Sequence, residues 1–157
     1  MLAVKNISFG YTDETILHNL SFTVKKGQNI AVLGESGCGK STLLKVLYGL
    51  YDLDSGEITY KGEPVLGPKQ NLIPGMPYMK YLAQDFDLMP YTTVEENVGK
   101  YLSNFFPEGK NERIKELLEV VEMEEFAAVK AKYLSGGQMQ RVALARVLAL
   151  EPEVLLL

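Results

Sequence analysis

With 157 residues, 46% of them hydrophobic and 23% charged, the chain can bury a sizeable core and falls in neither the disordered nor the fibrous class. Its net charge of −4 lacks the basic excess that nonspecific nucleic-acid binders need, so no nucleic-acid partner is expected. No stretch approaches the ~20 apolar residues of a membrane span, the start Met1-Leu2-Ala3-Val4-Lys5 lacks a secretory core, and one cysteine leaves no internal disulfide; a cytoplasmic protein is expected.

The first segment is β-rich. Leu20, Phe22 and Val24 alternate with Ser21 and Thr23, the period of a half-buried strand, and Lys25-Lys26-Gly27 turns the chain. His18, in a turn and strand region, reads as a surface residue. Asn29-Ile30-Ala31-Val32-Leu33 is a short apolar run that predicts a buried strand, and Thr42-Leu43-Leu44-Lys45-Val46-Leu47-Tyr48 predicts a helix closed by Gly49. Between them Gly34-Glu35-Ser36-Gly37-Cys38-Gly39-Lys40-Ser41 fits G-x-x-x-x-G-K-[ST] without mismatch, in the strand, loop, helix context that motif needs. Successive N–H groups from Gly37 to Thr42 would wrap a β-phosphate, Lys40 would reach the β- and γ-phosphates, and the Ser41 hydroxyl would hold Mg2+. A dinucleotide loop fits badly, since G-x-G-x-x-G is absent, and the Asn-Lys-x-Asp of a guanine reader is absent too. Cys38 reads either as a reactive thiol beside Lys40 or as a small residue that fits the loop.

Glu57-Ile58-Thr59-Tyr60 followed by Lys61-Gly62-Glu63 predicts a hairpin arm, and residues 64–77, rich in proline and glycine, predict a loop. Tyr78-Met79-Lys80-Tyr81-Leu82-Ala83 predicts a strand that delivers Gln84 and then Asp85-Phe86-Asp87-Leu88-Met89-Pro90. From there the period becomes helical. Thr92 and Thr93 each precede a glutamate by three residues, the capping-box spacing. Asn111 is expected to cap a helix whose stripe is Ile114, Leu117, Leu118 and Val121, so residues 85–133 are expected to be mainly helical. In Leu134-Ser135-Gly136-Gly137-Gln138 two glycines allow close backbone approach, and a helix opening at Gln138 would aim its N–H groups at an anion. That helix is stopped by Glu151-Pro152; Arg141 and Arg146 on it read as solvated or structural positions. Glu153-Val154-Leu155-Leu156-Leu157 predicts an apolar strand.

Taken together, residues 34–41 and 134–138 make the chain resemble the nucleotide-binding domain of an ATP-binding cassette (ABC) protein over essentially its full length. The resemblance implies an α/β fold: a P-loop NTPase core with an N-terminal antiparallel β layer and an inserted helical subdomain, the C-terminal part of the fold missing. It divides the chain into residues 1–84 (core), 85–137 (Gln84 loop and helical subdomain) and 138–157 (signature helix and the start of the next strand). Tyr11, by itself an ordinary turn tyrosine, would stack on adenine; Gln84, by itself a surface residue, would accept Mg2+ and sense the γ-phosphate. The implied nucleotide set is then Tyr11, Gly34, Glu35, Ser36, Gly37, Cys38, Gly39, Lys40, Ser41, Thr42 and Gln84, with Ser41 and Gln84 on the metal. Leu134, Ser135, Gly136, Gly137 and Gln138 would serve the ATP of a second cassette paired head to tail.

ATP and Mg2+ are the implied cofactors, transmembrane permease subunits the implied further partners, and the inner face of the cell membrane the implied location. Residues 134–146, with Tyr91-Thr92-Thr93-Val94-Glu95-Glu96-Asn97-Val98 after Gln84, are more similar to importer ATPases for polyamines, ferric iron or sugars than to exporters. The chain departs from the pattern at Leu155-Leu156-Leu157, where the aspartate and glutamate of the family's hydrolytic site are not reached. No complete catalytic set is therefore expected: the parent protein would be an ATPase, while these residues alone would bind without hydrolysing. Two alternatives stay open, a soluble ABC ATPase acting without a membrane partner and a non-hydrolysing nucleotide-binding fragment.

Overall fold

Alternating apolar residues at the N-terminus form β1 (Leu2–Gly10), which pairs antiparallel with β2 (Thr15–Val24) in the register Leu2 to Val24, Val4 to Phe22 and Ile7 to Leu20. The computed structural model describes residues 1–157. They divide into two units, Met1–Tyr81 with Leu156, and Leu82–Leu155 with Leu157.

In the first unit, α1 (Lys40–Leu47) follows β2, and then β3 (Ser55–Tyr60) and β4 (Glu63–Pro64) complete a four-stranded antiparallel sheet in the order β2-β1-β3-β4. The expected hairpin closes through Lys61 and Gly62, both at positive φ, as a two-residue turn that matches strand twist requires. The sheet buries Val4, Ile7, Phe9, Leu17 and Ile58, and α1 buries Leu43, Val46 and Leu47. Gly49 ends α1 as expected. Its N–H bonds Val46 O and that of Leu50 bonds Lys45 O, the paired bonds of a Schellman stop, with Gly49 at φ +80°. The strand β5 (Met79–Tyr81) is shorter than residues 78–83 suggested.

One expected strand is not there. Residues 29–33 form no ladder, and Leu33 is 89% exposed. An apolar run becomes a strand only where another strand meets its N–H and C=O groups, and none does so here.

The second unit is helical, with α2 (Val94–Val98), α3 (Pro107–Val120) and α4 (Gly136–Leu148) joined by short 3-10 turns, and then β6 (Val154–Leu156), whose Leu156 groups with the first unit. Of the two candidate capping boxes, Thr93 and Glu96 form one: Thr93 Oγ1 accepts from Glu96 N, and Glu96 Oε2 from Thr93 N. Thr92 instead donates its hydroxyl to Met89 O. Asn111 does not cap α3, which begins earlier, at Pro107; proline's fixed φ suits the first helical position, where its missing N–H costs nothing. The predicted stripe Ile114, Leu117, Leu118 and Val121 is buried with Val94, Val98, Leu134, Val142, Ala145 and Ala149.

Candidate nucleotide site

The phosphate loop runs from Gly34 into the first turn of α1. Gly39 caps that helix at φ +95°, and a Cβ there would stand 3.0 Å from Ile16 Cγ2, so both backbone and packing call for glycine. The first N–H groups of α1 have no intrahelical acceptor and carry the positive end of its dipole. Lys40 turns its ammonium back over the loop, donating to the carbonyls of Gly34 (2.9 Å) and Glu35 (2.6 Å) and standing 3.8 Å from Cys38 Sγ. An ammonium held only by exposed loop carbonyls can exchange them for other oxygen acceptors, anionic ones included. Cys38 is exposed, and its sulfur fills the space a Cβ on Gly34 would need, 2.7 Å away. Ser41 lies half-buried in the first turn of α1.

Tyr11 is drawn to this loop. Its hydroxyl lies 3.3 Å from Thr42 Oγ1, and its ring meets Phe9 and Tyr51 edge to face at 5.1 and 5.2 Å. With 49% of its surface exposed it keeps aromatic area for a base.

At the other motif the helix opens two residues before Gln138. Ser135 caps α4: its hydroxyl accepts from Gln138 N (3.3 Å) while Gln138 Oε1 accepts from Ser135 N (2.8 Å). Ser-x-x-Gln is itself a capping box, which explains the early start and engages the Gln138 side chain in its own helix. Leu134 is buried in the helical core and serves as an anchor. Gly136 and Gly137 have no positive φ, and a Cβ on either would meet nothing within 4 Å. The chain's own fold does not demand glycine at either position.

Gln84 is exposed, in a turn closed by the bond from Phe86 N to Ala83 O (3.1 Å). Phe86 (φ 60°) and Asp87 (φ 44°) are both left-handed, at about 1–2 kcal/mol for Phe86 and less for Asp87, since aspartate enters this region more readily. Arg146, on α4 and only 6% exposed, donates to both of their carbonyls, to Asp87 O at 2.6 Å and Phe86 O at 2.7 Å. Hydrogen bonds from a charged donor contribute about 1.5–3 kcal/mol each, enough to offset that strain. Of the two arginines, then, Arg146 is structural, and Arg141, half-exposed and 3.6 Å from Glu122, is the solvated one. Asn97 is fully buried; it accepts from Met89 N (2.8 Å) and donates to Met89 O, Thr92 Oγ1 and Thr93 O. Sequence reasoning gave no role to Asn97 and none of the grip of Arg146. The available signal was a polar residue on each helix's apolar stripe.

The family model described as ABC transporter matches residues 17–157. The chain belongs to the ABC transporter family. It is 41% identical to the spermidine/putrescine import ATP-binding protein PotA of Thermotoga maritima, covering 99% of this chain and 42% of that one. It is 37% identical to the Fe(3+) ions import ATP-binding protein FbpC 2 of Haemophilus influenzae, covering all of this chain and 45% of the other. It thus spans less than half the length of these curated relatives. Among solved structures it is similar to the ATP-binding cassette MJ0796 in a dimeric post-hydrolysis state bound to ADP and Pi (TM-score 0.82, 31% identity, covering 99% of this chain and 72% of that one). It is also similar to cbiO1 from Clostridium perfringens, part of the ABC transporter complex cbiONQ (TM-score 0.81, 28% identity, covering 98% and 63%). The expected ABC fold, a P-loop NTPase of mixed α and β with an antiparallel N-terminal sheet, is borne out. No helix is long and apolar enough to cross a membrane.

Proposed function

We propose that this chain is the ATP-binding part of an importer's ATPase subunit, which pairs head to tail with a second cassette and, at the inner face of the membrane, drives permease subunits. The observation that carries the reading is the Lys40 ammonium held over the phosphate loop at 2.9 and 2.6 Å from two of its carbonyls, in front of the α1 N-terminus. Residues 34–42 cradle the phosphates, Tyr11 supports the adenine, and Gln84 reports the γ-phosphate. The Ser41 hydroxyl and the Gln84 amide oxygen are hard, neutral donors of the kind Mg2+ accepts beside nucleotide phosphates, and they would hold it. When bound, the ion neutralises charge that develops on the phosphates. Ser135, Gly136 and Gly137 face the ATP of the second cassette, which the unfilled space at both glycines favours. Functionally the chain divides into residues 1–84, 85–137 and 138–157.

Import is favoured by the relatives' names, and pairing by the dimeric cassette to which the chain is similar. Residues 1–157 alone bind nucleotide without turning it over, since orienting the attacking water takes a carboxylate that this reading assigns to none of them. The test is binding of a fluorescent ATP analogue. Lys40→Ala should weaken it at least roughly tenfold, the worth of one charge-assisted bond. Ser135→Arg should leave that binding intact in the whole protein and abolish ATP-dependent dimerisation. Undiminished binding by Lys40→Ala would refute the loop assignment, and an ATP-dependent dimer of Ser135→Arg would refute the pairing.

A further inference from the structure

Tyr11 is held by the backbone before it, by its ring and by its hydroxyl, and the connection between α1 and β3 contributes to the first two. Asp54 Oδ2 accepts from Gly10 N at 2.9 Å while Asp54 N donates to Ser8 O at 3.0 Å, so one residue ties down the end of β1 from which Tyr11 turns away. Tyr51, half-buried, sets its ring 5.2 Å from that of Tyr11 at 88°, and Phe9 sets its own 5.1 Å away at 84°. Phe9 and Tyr51 lie 5.2 Å apart at 31°, which closes a triangle of rings. The Tyr11 hydroxyl then reaches to 3.3 Å from Thr42 Oγ1, in the first turn of α1. The turn itself is tight: a Cβ on Gly10 would stand 2.3 Å from Glu14 O. Tyr11 nevertheless stays 49% exposed, beside the helix end that carries the phosphate loop. A nucleotide whose phosphates lie in that loop has its base a few bonds further on. A ring that must meet a planar ligand binds it more tightly when the freedom of the ring is lost before the ligand arrives.

We propose that Tyr51 and Asp54 are positioning residues that hold the Tyr11 ring in a pre-set orientation beside the phosphate loop, so that the base of a bound nucleotide meets an ordered face. This rests on the reading of Tyr11 as the ring that supports the base. In the whole protein, affinities for ATP and for inorganic tripolyphosphate, which has no base, separate the two ends of the site. Tyr51→Leu should weaken ATP binding roughly two- to tenfold, the worth of one aromatic pair, and leave tripolyphosphate binding unchanged. Tyr51→Phe keeps the ring and should bind both as the parent does. Asp54→Ala, which takes the acceptor from Gly10 N, should show the same split at roughly twofold or more. In a Tyr11→Ala background neither Tyr51→Leu nor Asp54→Ala should weaken ATP binding further, because both act through that ring. Unchanged ATP affinity in either single variant would overturn the role of that residue. Equal losses for ATP and tripolyphosphate, or a further loss in the Tyr11→Ala background, would overturn the positioning role and leave a purely structural contact. Undiminished ATP affinity in Tyr11→Ala alone would refute the reading of Tyr11 itself. A loss there with none in Tyr51→Leu or Asp54→Ala would keep that reading and sink the frame.

Discussion

Replacing Asn97 with alanine tests how the loop after Gln84 is held. Asn97 is fully buried; its carboxamide oxygen accepts from Met89 N and its two N–H hydrogens are shared among three oxygens, but the loss is smaller than that set of contacts suggests. Met89 O still accepts from the Thr92 hydroxyl at 3.2 Å, and Thr93 O still accepts from the backbone N–H of residue 97 at 3.0 Å. The group left without its partner is Met89 N–H, at about 1–3 kcal/mol for an unmet buried donor. Removing the carboxamide from an enclosed site adds about 1 kcal/mol for the void. Asn97→Ala should therefore cost about 2–4 kcal/mol, read by urea titration followed by far-UV circular dichroism. Asn97→Asp is the sharper comparison. It keeps an oxygen for Met89 N but turns a second oxygen toward Met89 O and Thr93 O, so it should cost no less than alanine. A loss under about 1 kcal/mol for alanine, or an aspartate variant as stable as the parent, would refute this account.

Gly49→Ala should destabilise the first unit by about 1–3 kcal/mol in thermal melts, since a Cβ would stand 2.5 Å from Leu66 O at φ +80°. Ser135→Asp should keep the α4 cap and hence its stability, whereas Ser135→Ala should cost about 1 kcal/mol; ATP-dependent dimerisation should fail in the aspartate variant, through repulsion of phosphate. Alkylation of the exposed Cys38 with a bulky maleimide should block nucleotide binding, and unchanged affinity after complete modification would contradict the loop geometry.

What could be read from the sequence was what neighbouring residues settle among themselves. The Gly49 stop and the Thr93 box each depend on contacts within a few residues, and each is present; the α3 stripe was legible from its helical period, and its burial comes from α2 and α4. The strand expected at residues 29–33 failed because a strand is a relation between segments: Ile30, Val32 and Leu33 carry the composition of one without a ladder to join. Local competition explains the displaced helix starts. Pro107 outbid Asn111 because it suits the first turn without any side-chain bond, and Ser135 outbid Gln138 because a cap precedes the residue whose N–H it satisfies.

Arg146 and Asn97 show how far composition misleads at single positions. In α4, Val142, Ala145, Arg146 and Ala149 are spaced i, i+3, i+4 and i+7, and in α2, Val94, Asn97 and Val98 are spaced i, i+3 and i+4. Each polar residue therefore sits on the stripe that faces the core, where an unpartnered arginine or carboxamide would be too costly to keep. Position on the stripe thus implies partners from sequence alone, and in both helices those partners lie mainly on the backbone of the loop that follows Gln84. The loop that follows Gln84 is thus held by hydrogen bonds from two helices, α2 and α4.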